Sequence, residues 1–468
     1  MSDTFDDIFW DDETSNLIEK YEKMLDENAE YFFDIFEFED IIDHYIYVKQ
    51  NEDALQVIDY ADKLYPSEIN FSIKKALVYI EQKAPNKALE TLASIELLVN
   101  GDVDFYLIKG EALVGIGESQ KASEIFYSLF EISNEDDYSS YAIDIFQIFD
   151  KYNEQLHAIE FLKLAFSFDP ENISLLHFIA YCYEHIGQSK KSIACYKDFL
   201  NEYPFSDNAW FNLGIMYYNQ ENYEKSIDAL EYAIAINPDS IIAYFHLANA
   251  YFANDMFKKA IIYYKEFLKY EEDDPIVEYY LGQCYNFLGN KDLALKHYER
   301  CIKEDKSYAY AYFEIAKNYE QNDENEKALK TISNAIELEP DNDEFYNVKG
   351  IIYFNTNEFN QAAELFEKAL EINAYEKEYI INLSDTYLKL EEYNKVIELF
   401  EAKKEILNDS LIYFRLASCY LLINKKPLAI SNFEKGLKLN YSNYTELLYL
   451  YPEALKIKEI KKLLEKYK

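Results

Sequence analysis

Apolar residues return along this chain at helical spacing inside a longer, fixed period. Tyr183, Tyr217, Tyr251, Tyr285, Tyr319, Tyr353 and Tyr387 are 34 residues apart, and Tyr420 follows one residue early. Tyr45 and Tyr79 fall on the same ruler. Leu113 and Phe149 fill the marks between, with two residues inserted between them. Within Trp210-Phe211-Asn212-Leu213-Gly214-Ile215-Met216-Tyr217, the apolar and small positions make one helical stripe. A period of this length predicts pairs of helices that stack on their neighbours, because one pair cannot bury its apolar face alone.

Numbering each repeat from ten residues before its ruler position brings further columns into line. Position 20 is Ala or Ser in nearly every repeat, as at Ala54, Ala88, Ala122, Ser192, Ala260 and Ala362. Position 8 is small at Ala76, Gly110, Ala180, Gly214, Gly282 and Gly350, and position 4 is aromatic at Tyr106, Trp210, Tyr244 and Tyr346. Small residues let two helices approach closely, and a larger side chain there would overpack the contact. Proline at position 32 (Pro66, Pro170, Pro204, Pro238 and Pro340) ends the second helix, since it cannot continue one.

These columns resemble the tetratricopeptide repeat pattern, most closely at 207–240 through Trp210, Leu213, Gly214, Tyr217, Tyr223, Ala233 and Pro238. The resemblance implies an all-α fold, an α-solenoid superhelix of about twelve helix–turn–helix repeats. Their expected starts lie near residues 35, 69, 103, 139, 173, 207, 241, 275, 309, 343, 377 and 410, giving an array over 35–443. Residues 1–34 read as an acidic N-terminal segment with a capping helix expected over Leu17, Tyr21, Met24, Leu25 and Asn28, begun by Thr14, Ser15 or Asn16. Residues 444–468 read as one C-terminal capping helix with a basic tail at Lys456, Lys458, Lys461, Lys462, Lys466 and Lys468. The insertion at Asn134-Glu135-Asp136-Asp137 reads as a tolerated polar loop.

Charge narrows the function. The formal net charge is -41, which disfavours nucleic acid and anionic membrane surfaces as partners. It serves the solubility of a long exposed solenoid and, as a sharper alternative, attracts a basic partner. No run approaches the ~20 apolar residues that span a bilayer, and the first residues lack a signal-peptide pattern, so a cytoplasmic location is expected. The 5 cysteines are scattered. Cys182, Cys284 and Cys419 share one place in their repeats and read as small buried side chains.

No phosphate loop, zinc spacing or nucleophile–base arrangement is present, so the chain reads as a non-enzyme without cofactor or metal. The resemblance implies that first helices line a concave groove through positions 2, 5, 6, 9, 12 and 13. On that basis the candidate peptide-binding residues are Phe211, Asn212, Ile215, Phe245, His246, Asn249, Tyr279, Gln283, Asn286, Phe313 and Lys317. The carboxylate clamp known in the family finds only Asn249 at its positions and is not expected. Acidic residues at Glu39, Asp40, Asp43, Glu111, Asp144 and Asp150 suggest that the front repeats prefer a Lys/Arg-rich segment. Phe5-Asp6-Asp7-Ile8-Phe9-Trp10 reads either as a docking motif or as self-packing on the first repeat. The expected role is a protein–protein interaction scaffold or adaptor that binds peptide segments of a partner; the alternative is a chaperone-like holder of basic clients.

Overall fold

The computed structural model describes residues 12–27, 29–99, 101–407 and 409–467. The Phe5–Trp10 motif and Asn28 therefore lie outside the described residues. Among the described residues the chain is all-α, and it divides into two compact parts, Met1–Ala243 and Tyr244–Lys468. Each part is a succession of antiparallel helix pairs. In the first part the first helices are Ile35–Tyr47, Ile69–Glu81, Val103–Gly115, Tyr138–Lys151, Ile173–His185 and Asp207–Asn219. In the second part they include Pro275–Phe287, Ala309–Gln321, Asp343–Asn355, Lys377–Lys389 and Ser410–Leu422. The division between the parts falls inside the helix Ile241–Ala253.

The turn within a pair is the same in every repeat. Position 15 has a left-handed backbone throughout, with glycine at Gly117, Gly187 and Gly289 and non-glycine residues such as Lys83, Glu221 and Asn357 elsewhere. The N–H of position 16 then donates to the carbonyl of the ruler residue at 2.7–2.9 Å in all twelve repeats, for example Gln188 to Tyr183 and Glu118 to Leu113. This is the Schellman closure of a helix C-terminus, which satisfies an otherwise orphaned carbonyl. The ruler is therefore also a backbone position, and Leu113 and Phe149 hold it without a hydroxyl.

Side chains from position 24 fill the small site at position 8. A Cβ added to Gly110 would lie 2.2 Å from the Phe126 ring, and at Gly282 it would lie 2.4 Å from Tyr298. Aromatic residues at position 4 reach back to the preceding turn: Trp210 Nε1 donates to the Pro204 carbonyl (2.9 Å), and Tyr346 Oη donates to that of Pro340 (3.0 Å). Cys182, Cys284, Cys301 and Cys419 are buried and free, and burial pushes their thiols up to about 12.

Both ends depart from the expected helices. The N-terminal helix spans Asp12–Glu27, so Thr14, Ser15 and Asn16 lie within it and do not begin it. Its Tyr21 and Met24 are buried, with Tyr21 set edge-on to Phe33 (6.0 Å). At the other end, one continuous helix over 444–468 does not form. A short helix Thr445–Leu450 is followed by the 3₁₀ segment Pro452–Lys456 and the helix Lys458–Tyr467. Pro452 has no N–H and clashes with a preceding turn, so the first helix must stop before it. Leu447, Ala454 and Ile460 nonetheless join one apolar cluster with Phe433 and Leu437. The 134–137 insertion is a single 3₁₀ turn, Glu135–Asp137, leading into Tyr138–Lys151.

Candidate interaction site

The sequence-selected groove residues take different roles. In the first part, Phe211, Asn212 and Ile215 are half-buried on the helix Asp207–Asn219. In the second part, the half-buried ring of Phe245 packs against Phe267 (5.5 Å) and Tyr264 (6.4 Å), with His246 5.5 Å away. Asn249 Oδ1 accepts from Tyr264 Oη at 2.6 Å. Gln283 Nε2 donates to Tyr279 Oη at 3.0 Å, and the Tyr279 ring also meets Tyr308 at 5.0 Å. Burial and then the charge of Glu314 hold the Tyr279 hydroxyl well above the ordinary phenol range. Asn286 is exposed.

Phe313 is different. It is 3% exposed and packs at a tilt against Phe345 at 5.1 Å, so it belongs to the packing between helices and offers no surface to a ligand. Lys317 lies over that ring (4.7 Å) and 3.3 Å from Glu314. It borders a cavity of about 470 Å³ that also takes in Glu320, Glu344, Asn347, Ile351 and Glu378.

The larger cavity lies in the first part. It measures about 750 Å³ and is lined by the first helices of the four repeats between residues 35 and 151. Its carboxylates are Glu39, Asp43, Asp102, Asp104, Glu111 and Asp144; its cations are Lys74 and Lys151. Ile73, Leu77, Leu107, Ile108 and Ile148 supply the apolar lining. Lys74 pairs with Asp43, and Lys151 with Glu111 at 2.9 Å, while Glu39 accepts from Asn70 Nδ2 at 2.9 Å. Asp102 caps the following helix by accepting the Phe105 N–H at 2.9 Å. Burial raises the proton affinity of the Asp104 and Asp144 carboxyls; Asp102 raises that of Asp104 further while Lys74 opposes it, and Asp104 raises that of Asp144.

One regularity escaped the sequence columns. Lysine at position 19 sits over the ruler tyrosine of its own repeat, as Lys87 over Tyr79 (5.5 Å), Lys225 over Tyr217 (5.5 Å), Lys259 over Tyr251 (4.8 Å) and Lys395 over Tyr387 (5.0 Å). Each such contact contributes about 0.5–1 kcal/mol at a surface site. The tyrosine hydroxyl then meets position 25 of the preceding repeat: Lys163 Nζ lies 2.7 Å from Tyr183 Oη, Lys265 Nζ 2.9 Å from Tyr285 Oη, and Tyr420 Oη donates to Glu401 at 3.2 Å. The signal was present as lysines eight residues after the ruler. Tyr183, Tyr285 and Tyr420 thus stitch successive repeats together.

Among the described residues, no group of three or more His, Cys, Asp or Glu side chains is placed to hold a metal ion. No helix among them is long and apolar enough to cross a membrane. Residues 179–206, 208–240, 241–274, 277–307 and 313–377 match the tetratricopeptide repeat family. No curated protein matches the chain significantly. Solved structures that resemble it include MamA (25% identity over 35% of this chain and 95% of that one, TM-score 0.34). A tetratricopeptide repeat protein from Parabacteroides merdae is 20% identical over 54% of this chain and 98% of its own, with a TM-score of 0.40. Yeast Tom70 is 14% identical over 90% and 95%, with a TM-score of 0.38.

Proposed function

The chain is a tetratricopeptide repeat protein, and we propose that it acts as a non-catalytic scaffold that holds peptide segments of partner proteins along the faces of its first helices. One observation carries the reading. Positions 2, 5, 6 and 9 of first helices line an open cavity in each part, around Lys74, Leu77, Asp104, Leu107 and Glu111 in one and Lys317, Glu344, Asn347 and Ile351 in the other. Asp104 and Glu344 are exposed and Leu77, Leu107 and Ile351 partly so, which leaves area for another molecule, whereas Phe313 and Asn347 at position 5 are buried. Amides such as Gln283 and Asn286 can hydrogen-bond an extended backbone, while partly exposed aromatics give sequence-tolerant contact area.

The test selects binders from a displayed library of random twelve-residue peptides on the full chain. The selected peptides are then measured by fluorescence anisotropy against the full chain and against a Gln283→Ala/Asn286→Ala/Lys317→Ala variant. Weakening of at least one selected peptide by tenfold or more, with unchanged circular dichroism, supports first-helix binding. Selected peptides that all bind this variant as tightly as the parent chain would overturn it.

A further inference from the structure

We propose that the cavity of the first part binds a basic, amphipathic segment of a partner protein, with a Lys or Arg side chain seated between Asp104 and Asp144 and the neighbouring apolar residues of that segment on the partly exposed Leu77 and Leu107. This rests on the scaffold reading and names the partner chemistry for one of its surfaces.

The argument begins with charge accounting inside the cavity. Six carboxylates face two ammonium groups. Both lysines are engaged, Lys74 with Asp43 and Lys151 with Glu111 and, at 3.8 Å, Glu81. Among the described residues Asp104, exposed and within reach of the Lys74 charge, and Asp144, half-buried, lie on the successive first helices Val103–Gly115 and Tyr138–Lys151 and close no ion pair of their own. Each is next to apolar lining, and the charge of Asp104 reaches Asp144. Two ionised carboxyls beside a low-dielectric wall repel each other, and a cation between them relieves that cost. An incoming Lys or Arg brings both required parts: a charged head for the carboxylates and an aliphatic stem for the partly exposed Leu107.

Size and sign narrow the occupant. A cavity of about 750 Å³ spanning four helices accommodates several residues of chain, more than one small ion requires. The open apolar lining asks for apolar neighbours next to the cation, which inorganic ions lack. Nucleic acid has the wrong sign. A second copy of this chain offers lysines on the helix Lys458–Tyr467, but that helix spends Ile460 on its own core, leaving mainly polar side chains outward. A separate partner segment alternating basic and apolar residues fits both surfaces.

The test uses the full chain and three labelled decapeptides, (Lys-Leu)5, (Glu-Leu)5 and (Lys-Ser)5, followed by fluorescence anisotropy in 50 and 300 mM NaCl. The expected order of affinity is Lys-Leu, then Lys-Ser, with no binding of Glu-Leu. Asp104→Asn/Asp144→Asn should weaken Lys-Leu binding at least tenfold. Asp292→Asn/Glu299→Asn, which removes the same charge from an exposed helix of the second part, should change it less than twofold. Asp104→Glu/Asp144→Glu should retain binding, separating charge from misfolding. Binding should weaken on acidification more in the parent chain than in the Asn variant, because burial raises the proton affinity of both carboxyls.

Equal losses in both charge-removal variants would mean a diffuse field and overturn the proposal. So would equal affinity for Lys-Leu and Lys-Ser. Displacement of the peptide by 1 mM CaCl2, dependent on Asp104 and Asp144, would assign the pair to a cation instead. Concentration-dependent dimers in sedimentation, abolished by Asp104→Asn/Asp144→Asn, would assign the cavity to a second copy. Any of these failures, alongside library peptides that still depend on Gln283, Asn286 and Lys317, removes this inference and leaves the scaffold reading intact.

Discussion

Gly110→Ala should destabilise its helix pair although alanine is the better helix former. The replacement alone favours the helix by about 1 kcal/mol. Against this, the new Cβ would lie 2.2 Å from both Cε1 and Cζ of Phe126, where carbon atoms prefer ~3.5–4.0 Å. Phe126 is fully buried and cannot swing aside, because Phe149 and Phe161 meet it edge-on at 5.6 and 5.8 Å. Relief requires the two helices to part by more than an ångström, which places the cost near the upper end of the ~1–3 kcal/mol of overpacking. The net expectation is a loss of about 2 kcal/mol. A repeat array does not unfold in one step, so the readout must be local. Hydrogen exchange of peptides from 103–132 should accelerate by up to about 30-fold, while peptides from 343–372 stay unchanged. Adding Phe126→Leu should recover part of the loss, giving a favourable coupling in the double-mutant cycle. Slower or unchanged exchange in Gly110→Ala would refute the close-approach account of position 8.

Three other outcomes are expected. Gly187→Ala places a Cβ in open space at φ +72°, so it should cost only the left-handed backbone penalty, about 1 kcal/mol; Glu221→Gly, at φ +57°, should stabilise its turn, and exchange at each turn checks both signs. Arg415→Met should loosen the C-terminal repeats by about 2 kcal/mol or more, because the buried guanidinium bonds Asp385 (2.6 Å), Glu446 (2.9 Å) and Ser384 Oγ (2.7 Å); limited proteolysis after 410 that is no faster than in the parent chain would contradict this. His246, whose pKa burial lowers below 6.5, should titrate by NMR with a midpoint under that value. Since the unfolded chain takes up the proton first, its contribution to stability is complete above pH ~6.5 and declines as pH falls towards the folded midpoint; a midpoint at or above 6.5 would contradict the burial.

Much of the fold was legible because a repeat writes its packing rule many times. The small residues at Gly110, Gly282 and Ala362, the prolines and the ruler each reported a local constraint, and agreement among copies separated rule from accident. The ends had no copies to agree with. There Pro452 broke an apparently continuous apolar pattern, and the first helix ran past its expected caps. The candidate site was less legible for a related reason. Phe313 and Phe245 occupy corresponding positions in their repeats, yet Phe345 covers the first, while the second remains half-buried.

The sequence by itself determined the helix pairs, their period and the side chains each pair needs to close, since those follow from spacing and residue size within about 34 positions. Only the tertiary structure decided which repeated residues are spent on neighbours and which stay available. It joined Lys163 to Tyr183 and Lys265 to Tyr285 across repeats. It also paired Lys74 with Asp43 and left Asp144 facing the like charge of Asp104 in the same cavity. Charge compensation depends on distances between different helices, and those distances are set by stacking, not by position along the chain.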